Sequence, residues 1–274
     1  MKYYYPFDTR DDPPLSEVGG KGQSLLQSTR AGFDVPAGLV LTVSFFEPWL
    51  VHVQSTEEWR TFVESAVGAE KSERKKKDDD RGGEDHVRDD GQEEGEAEEA
   101  SEIRTLCDAV KERCSELEFN ATQRQELDGA LRSCFGVGEE RGEGEGEGDS
   151  TERQDSPAND VVVAVRSSSP EEDLTGTSFA GGYETTLGVA ASSSSDLLEA
   201  VLTSFTSMFD HRVVTYKARN GMAPDDPRIA VVVQRQVASE VSGVAFSINP
   251  GNNCYDESVI SAYYGLGESV VSGT

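Results

Sequence analysis

The chain has 274 residues, a 35% hydrophobic fraction, and 52 acidic against 25 basic side chains, for a formal net charge of -27. That length holds one large domain or two modest ones with a substantial core, and the acidity argues against a nucleic-acid partner, whose phosphates it would repel. No apolar run approaches the roughly 18 residues of a membrane span. The N-terminus MKYYYPFDTRDDPP has neither a signal peptide's apolar stretch nor a transit peptide's acid-poor, Arg/Ser-rich character, so a cytoplasmic protein is expected.

Residues 1–66 open with GGKG at Gly19 to Gly22. It reads as a loop in which a lysine between glycines is a mobile point charge beside exposed backbone, able to follow a phosphate. It is not a P-loop, because no GxxxxGK[ST] occurs in the chain. Leu25, Leu26 and Thr29 then predict a helix that stops at Gly32, and AGFDVPAGLVLT (Ala31 to Thr42) a strand ending near Thr42. A second helix is expected from Ser44 into the fifties and sixties.

Residues 69–100 and 139–158 are acidic and lack aromatic, leucine and isoleucine side chains. Such segments cannot offset the entropy of ordering their backbones, and both are expected to be disordered insertions. Between them, residues 101–138 place Ile103, Leu106, Val110, Cys114 and Leu117 at helical steps. Asn120 is placed to cap a following helix that carries Leu127, Leu131 and Phe135. Cys107, Cys114, Cys134 and Cys254 show no CxxC pairing and no nearby histidine, so they read as reduced, structural thiols rather than zinc ligands. His52, His86 and His211 lie in no context that connects them to catalysis.

Residues 159–274 begin with VVVAVRSSSPEEDLTGTSFAGGYETT (Val161 to Thr186), a buried strand that runs into an arginine, three serines, acids and a loop of small residues. One arginine at a strand end, followed by hydroxyls and glycines that allow close backbone approach, suits a phosphate. The competing reading pairs Arg166 with Glu171, Glu172 or Asp173 on the surface. Asp196 is a candidate cap for a helix carrying Leu197, Leu198, Val201, Leu202, Phe205, Met208 and Phe209. Ile229 to Val233, Gly243 to Ile248 and Ser258 to Tyr263 read as strands. Helices and strands alternate irregularly, which favours an α+β sandwich over a doubly wound parallel sheet.

Four motifs taken in order carry a resemblance: GGKG with AGFDVPAGLVLT, VAVRSSSPEEDLTGTSFAGGYETTLGV, IAVVVQRQV with SGVAFSINP, and VISAYYGLGESVVSG. Together they resemble the N-terminal nucleotide-binding region of the phosphoenolpyruvate synthase and pyruvate phosphate dikinase family. Glucan water dikinases and rifampicin phosphotransferase share that region, and the wording here is most similar to the synthase branch. The resemblance implies an ATP-grasp-like fold of two lobes that bind ATP and Mg2+. It implies that Lys21 and Arg166 contact the phosphates, that Gly181 and Thr185 belong to a loop covering them, and that Gln234, Gln236 and Val237 lie on a hinge strand beside the adenine. Glu268 would face the nucleoside. Gly182, where relatives often carry glutamine, and Gln236, where methionine is common, depart from the pattern.

In that family the phosphoryl group passes through a histidine on a separate domain and then to pyruvate. Neither of the segments responsible is found among these residues, and the remaining magnesium ligands are expected beyond Thr274. The chain therefore reads as the ATP-binding part of a phosphoenolpyruvate synthase-like dikinase, inactive alone. The alternatives are the same part of a glucan or rifampicin-type phosphotransferase, and a non-catalytic nucleotide-binding module.

Overall fold

A computed structural model describes residues 2–66, 90–137, 161–171, 183–220, 222–223, 225–267 and 270, with side chains described from 101 onward in the second of these segments. The chain divides into two compact units, Met1–Arg235 and Gln236–Thr274. The insertion over 139–158 and most of that over 69–100 fall outside the described residues.

The first unit is built on a five-stranded sheet in the order β1-β2-β5-β3-β4. Its strands are β1 (Tyr4–Pro6), β2 (Gly38–Leu41), β3 (Val162–Ser168), β4 (Thr185–Ala190) and β5 (Ala230–Arg235). Every neighbouring pair is antiparallel, which suits the irregular alternation of elements and confirms mixed α and β structure without a doubly wound parallel sheet. β5 is central, and Ala230 to Val233 are all fully buried, as a strand covered on both faces requires.

Alternation along the strands sorts side chains into two layers. Val40, Ala230 and Val232 pack with Val18 and Leu26 of α1 (Leu15–Arg30) on one face. Leu39, Leu41, Val163, Val165, Val231 and Val233 face a larger core on the other. That core is closed by α2 (Glu47–Gln54), α3 (residues 57–66), α4 (Asp90–Cys114), α5 (Ala121–Phe135), α6 (Ser194–Thr206) and α7 (His211–Arg219). Aromatic rings knit it together, with Trp49 stacked on Phe119 at 5.2 Å and edge-on to Phe205 at the same distance. The Trp49 indole N–H donates to the Glu118 carbonyl at 2.9 Å, so its one polar group is satisfied inside the core.

Several helix boundaries differ from the sequence reading for local reasons. The helix expected from Ser44 is instead a 3-10 turn (Val43–Phe46), then α2, then a break and α3. Thr56 makes the break: its hydroxyl donates to the Val53 carbonyl at 2.7 Å and accepts from the Trp59 N–H at 3.2 Å, closing one helix and capping the next. α4 begins at Asp90, inside the run expected to be disordered. Glu, Gln and Ala are good helix formers, and acids complement the positive N-terminal end of a helix. α6 is capped by Ser193, not Asp196: the Ser193 hydroxyl accepts from the Asp196 N–H at 3.3 Å, and Asp196 sits in the first turn. The apolar run beyond Thr206 leaves the α-helix for a 3-10 turn (Ser207–Phe209).

Asn120 does cap α5. Its side chain accepts from the Gln123 N–H at 2.9 Å while the Gln123 side chain accepts from the Asn120 N–H at 3.0 Å. Burial of Cys107 and Cys114 pushes both thiols up to about 12, which keeps them protonated and unreactive. All four cysteines are free.

The second unit contains one antiparallel pair, β6 (Val241–Phe246) and β7 (Val259–Tyr264). The strands expected near these positions are present, shifted by one or two residues. Gly243 allows the close pairing, since a Cβ there would lie 2.7 Å from the Ser261 carbonyl oxygen.

Candidate functional site

The two motifs that looked weak when taken singly, GGKG and RSSS, are stitched to each other. Gly19 takes φ 69° and ψ 173°, a conformation essentially confined to glycine, and so breaks α1 after its first turn. The Gly22 N–H donates to the Ser168 hydroxyl at 2.9 Å, that hydroxyl donates to the Val18 carbonyl at 2.8 Å, and the Gly20 N–H reaches the Ser169 carbonyl at 3.3 Å. A Cβ on Gly19 would overlap the Ser168 carbonyl and hydroxyl oxygens. The glycines therefore let α1 lie directly on the end of β3.

That contact corrects one expectation. Gly19, Gly20 and Gly22 are buried, and only Lys21 between them is partly exposed, so the glycine backbone is not an open phosphate cradle. The serine hydroxyls are likewise committed to protein partners. Ser167 donates to the Glu184 carbonyl at 3.1 Å, and the Ser169 hydroxyl accepts from the Glu171 N–H at 3.1 Å. They fasten β3 to its neighbours rather than facing a ligand.

Directly opposed residues in an antiparallel sheet share a face. Val40 pairs with Val232, Val232 with Arg166, and Arg166 with Thr185, a row that begins under α1 and ends at the edge strand. In the next row Gly38 and Ala164 flank Gln234. Arg166, Thr185 and Gln234 thus lie on the face of the sheet that α1 only partly covers. Lys21 stands on α1 above the same region, its ammonium 6.0 Å from the ring centroid of Tyr183, two residues ahead of Thr185.

Arg166 is half-buried and forms no ion pair with a described carboxylate. Of the acids proposed to neutralise it, Glu171 instead pairs with Lys217 of α7, whose side chain is 3% exposed. Glu172 and Asp173 lie outside the described residues. Arg166 and Thr185 share this face, and a guanidinium fork is matched in donor geometry to phosphate oxygens. Among the described residues no three His, Cys, Asp or Glu side chains converge as a metal site.

Gln234 donates its side-chain N–H to the Pro36 carbonyl at 3.3 Å. Gln236 and Val237 belong to the second unit, where Val237 is exposed. Gly181, Gly182 and Glu268 lie outside the described residues. Two residues escaped the sequence reading. Tyr183 sat unremarked inside the motif beside Thr185, and Lys217 gave no signal because a lysine near a helix C-terminus ordinarily points to solvent.

Comparison with known proteins supplies a family. The family model described as pyruvate phosphate dikinase, AMP/ATP-binding domain, matches residues 15–274. The chain is 32% identical to a phosphoenolpyruvate synthase of Pyrococcus furiosus over 97% of its own length and 30% of the relative's. It is 26% identical to a probable phosphoenolpyruvate synthase of Methanothermobacter thermautotrophicus over 100% of this chain and 33% of that protein. A rifampicin phosphotransferase of Streptomyces sviceus is 39% identical over 41% of this chain and 13% of its own length. The chain thus spans about 30% of the length of the curated synthases it matches. Among the described residues no helix is long and apolar enough to cross a membrane.

Proposed function

This chain belongs to the pyruvate phosphate dikinase AMP/ATP-binding domain family, and from that premise we propose that it is the ATP-binding part of a phosphoenolpyruvate synthase-like dikinase with an ATP-grasp fold. The observation that carries the reading is the β3–β4 register, which sets Arg166 opposite Thr185; the α1–β3 stitch and the approach of Lys21 to Tyr183 support adding Lys21 to the same site. Antiparallel strands and a division of the chain at the end of β5 support the two-lobed fold.

In this reading Lys21 and Arg166 hold the ATP phosphates and offset the negative charge that builds up as the phosphoryl group leaves. Thr185 adds a hydroxyl donor, and the loop containing Gly181 covers the phosphates. The segment Gln234, Gln236 and Val237 takes the adenine, with backbone groups sufficient at position 236, and Glu268 takes the nucleoside. Magnesium would enter with the nucleotide and would offset the charge of the phosphates. The transferred group would pass to a histidine and then to pyruvate, both outside these residues.

Photolabelling with 8-azido-ATP in the presence of magnesium tests the site. The label is expected on the peptide that contains Gln234 to Val237, and ATP should compete it away. Arg166→Ala and Lys21→Ala should each raise the competing ATP concentration about tenfold or more, because a charge-assisted hydrogen bond contributes about 1.5–3 kcal/mol. Unchanged competition in both variants would remove the assignment.

A further inference from the structure

On the layer opposite α1, helices α4 and α7 border an open pocket of about 510 Å³ lined by Arg104, His211, Arg212 and Arg219 together with Ser101 and Thr215. Three arginines around one cavity are conspicuous in a chain of net charge -27. The Arg104 guanidinium lies 3.2 Å from the Nε2 of His211. Arginine is always protonated, so it donates and the imidazole nitrogen accepts. The other side of that ring has its Nδ1 3.5 Å from Asp210.

Asp210, the carboxylate that stands beside His211 and Arg212, is already engaged. It pairs with Lys111 at 3.2 Å and Arg212 at 3.2 Å, and it accepts the Arg212 backbone N–H at 3.0 Å. Its charge is therefore offset locally by Lys111 and Arg212. Charge of one sign collected around a concavity concentrates anions there, and guanidinium forks with flanking hydroxyls match phosphate oxygens.

We propose that this cavity is a second anion site, one that binds a small phosphorylated molecule. It does not belong to the nucleotide face, because α4 and α7 pack into the larger core on the other side of the sheet, through Cys107, Val110 and Val214. Arg104 and Arg212 supply the phosphate contacts, and Ser101 and Thr215 add hydroxyl donors.

Calorimetric titration of inorganic pyrophosphate tests the site, with the Lys21→Ala/Arg166→Ala double variant as background so that both cations assigned to the nucleotide face are removed. That variant is expected to retain one pyrophosphate site. Adding Arg104→Gln or Arg212→Gln should weaken it at least tenfold, and adding both should abolish it. Arg104 and the Arg212 side chain, 60% exposed, are solvent-facing, and an unchanged circular dichroism spectrum checks that the fold is intact. Binding that persists when Arg104→Gln and Arg212→Gln are both added to the folded background variant, or is already absent in that background, overturns the proposal. Citrate binding as tightly as pyrophosphate overturns the phosphate assignment.

Discussion

Gly19 shows how much can depend on the absence of one side chain. Its positive φ and its overlap with Ser168 are separate reasons for glycine, one conformational and one steric. Gly19→Ala should therefore destabilise the first unit by about 3 kcal/mol or more, from backbone strain of about 1–3 kcal/mol and overpacking of a similar size. Urea unfolding measures it, and a change below 1 kcal/mol, by this estimate, would mean that α1 moves off β3 at little cost. The same variant should weaken 8-azido-ATP labelling, because Lys21 is positioned by this contact. Ser168, with its hydroxyl both donating and accepting across the joint, is structural for the same reason, although its place beside Arg166 invites a catalytic reading.

Between elements, buried charge fixes geometry that apolar packing leaves loose. Lys217 and Glu171 tie α7 to the chain leaving β3, and Asp210 ties α7 to α4 through Lys111. Burial pushes the Asp210 carboxyl up, but the Arg212 N–H, Lys111 and the Arg212 side chain outweigh it and hold the carboxyl down at about 2, from an ordinary 3.8. A depressed carboxylate stabilises the fold above its unfolded pKa, and that contribution disappears as pH falls through the folded value. Asp210→Asn should then cost on the order of 2 kcal/mol at neutral pH. The gap between variant and wild type, followed by chemical denaturation, should narrow between about pH 4 and pH 2. A gap independent of pH would mean that the loss does not arise from the charge of the carboxylate.

For the whole molecule, the two units differ in how much they bury. The first has a continuous two-sided core around β5. In the second, Ile260, Tyr263 and Tyr264 of the β6–β7 pair are 76%, 60% and 83% exposed, and two strands alone are marginally stable in water. Hydrogen exchange followed by mass spectrometry should find the amides of β5 and β3 slowest and those of β6 and β7 fastest among the strands, since protection follows burial. Equal protection in all four would mean that the second unit is stabilised by more than its own pairing.

The sequence by itself determined the mixed α and β class, most of the helices, the Asn120 cap and the family, because periodicity, capping chemistry and ordered motifs are local properties of the chain. It also marked Lys21 and Arg166 by residue type, and Thr185 through the family resemblance alone. What it left undecided was what surrounds them. The serines and glycines of the motifs looked like ligand-facing groups, and only the tertiary structure assigned them to the α1–β3 joint, by placing Gly22 against Ser168 across a long interval of sequence. The face shared by Arg166, Thr185 and Gln234 depends on strand register, and the Lys217–Glu171 pair and the α4–α7 cavity depend on how helices dock. Those are long-range facts, fixed by packing and charge burial, and no window of the sequence contains them.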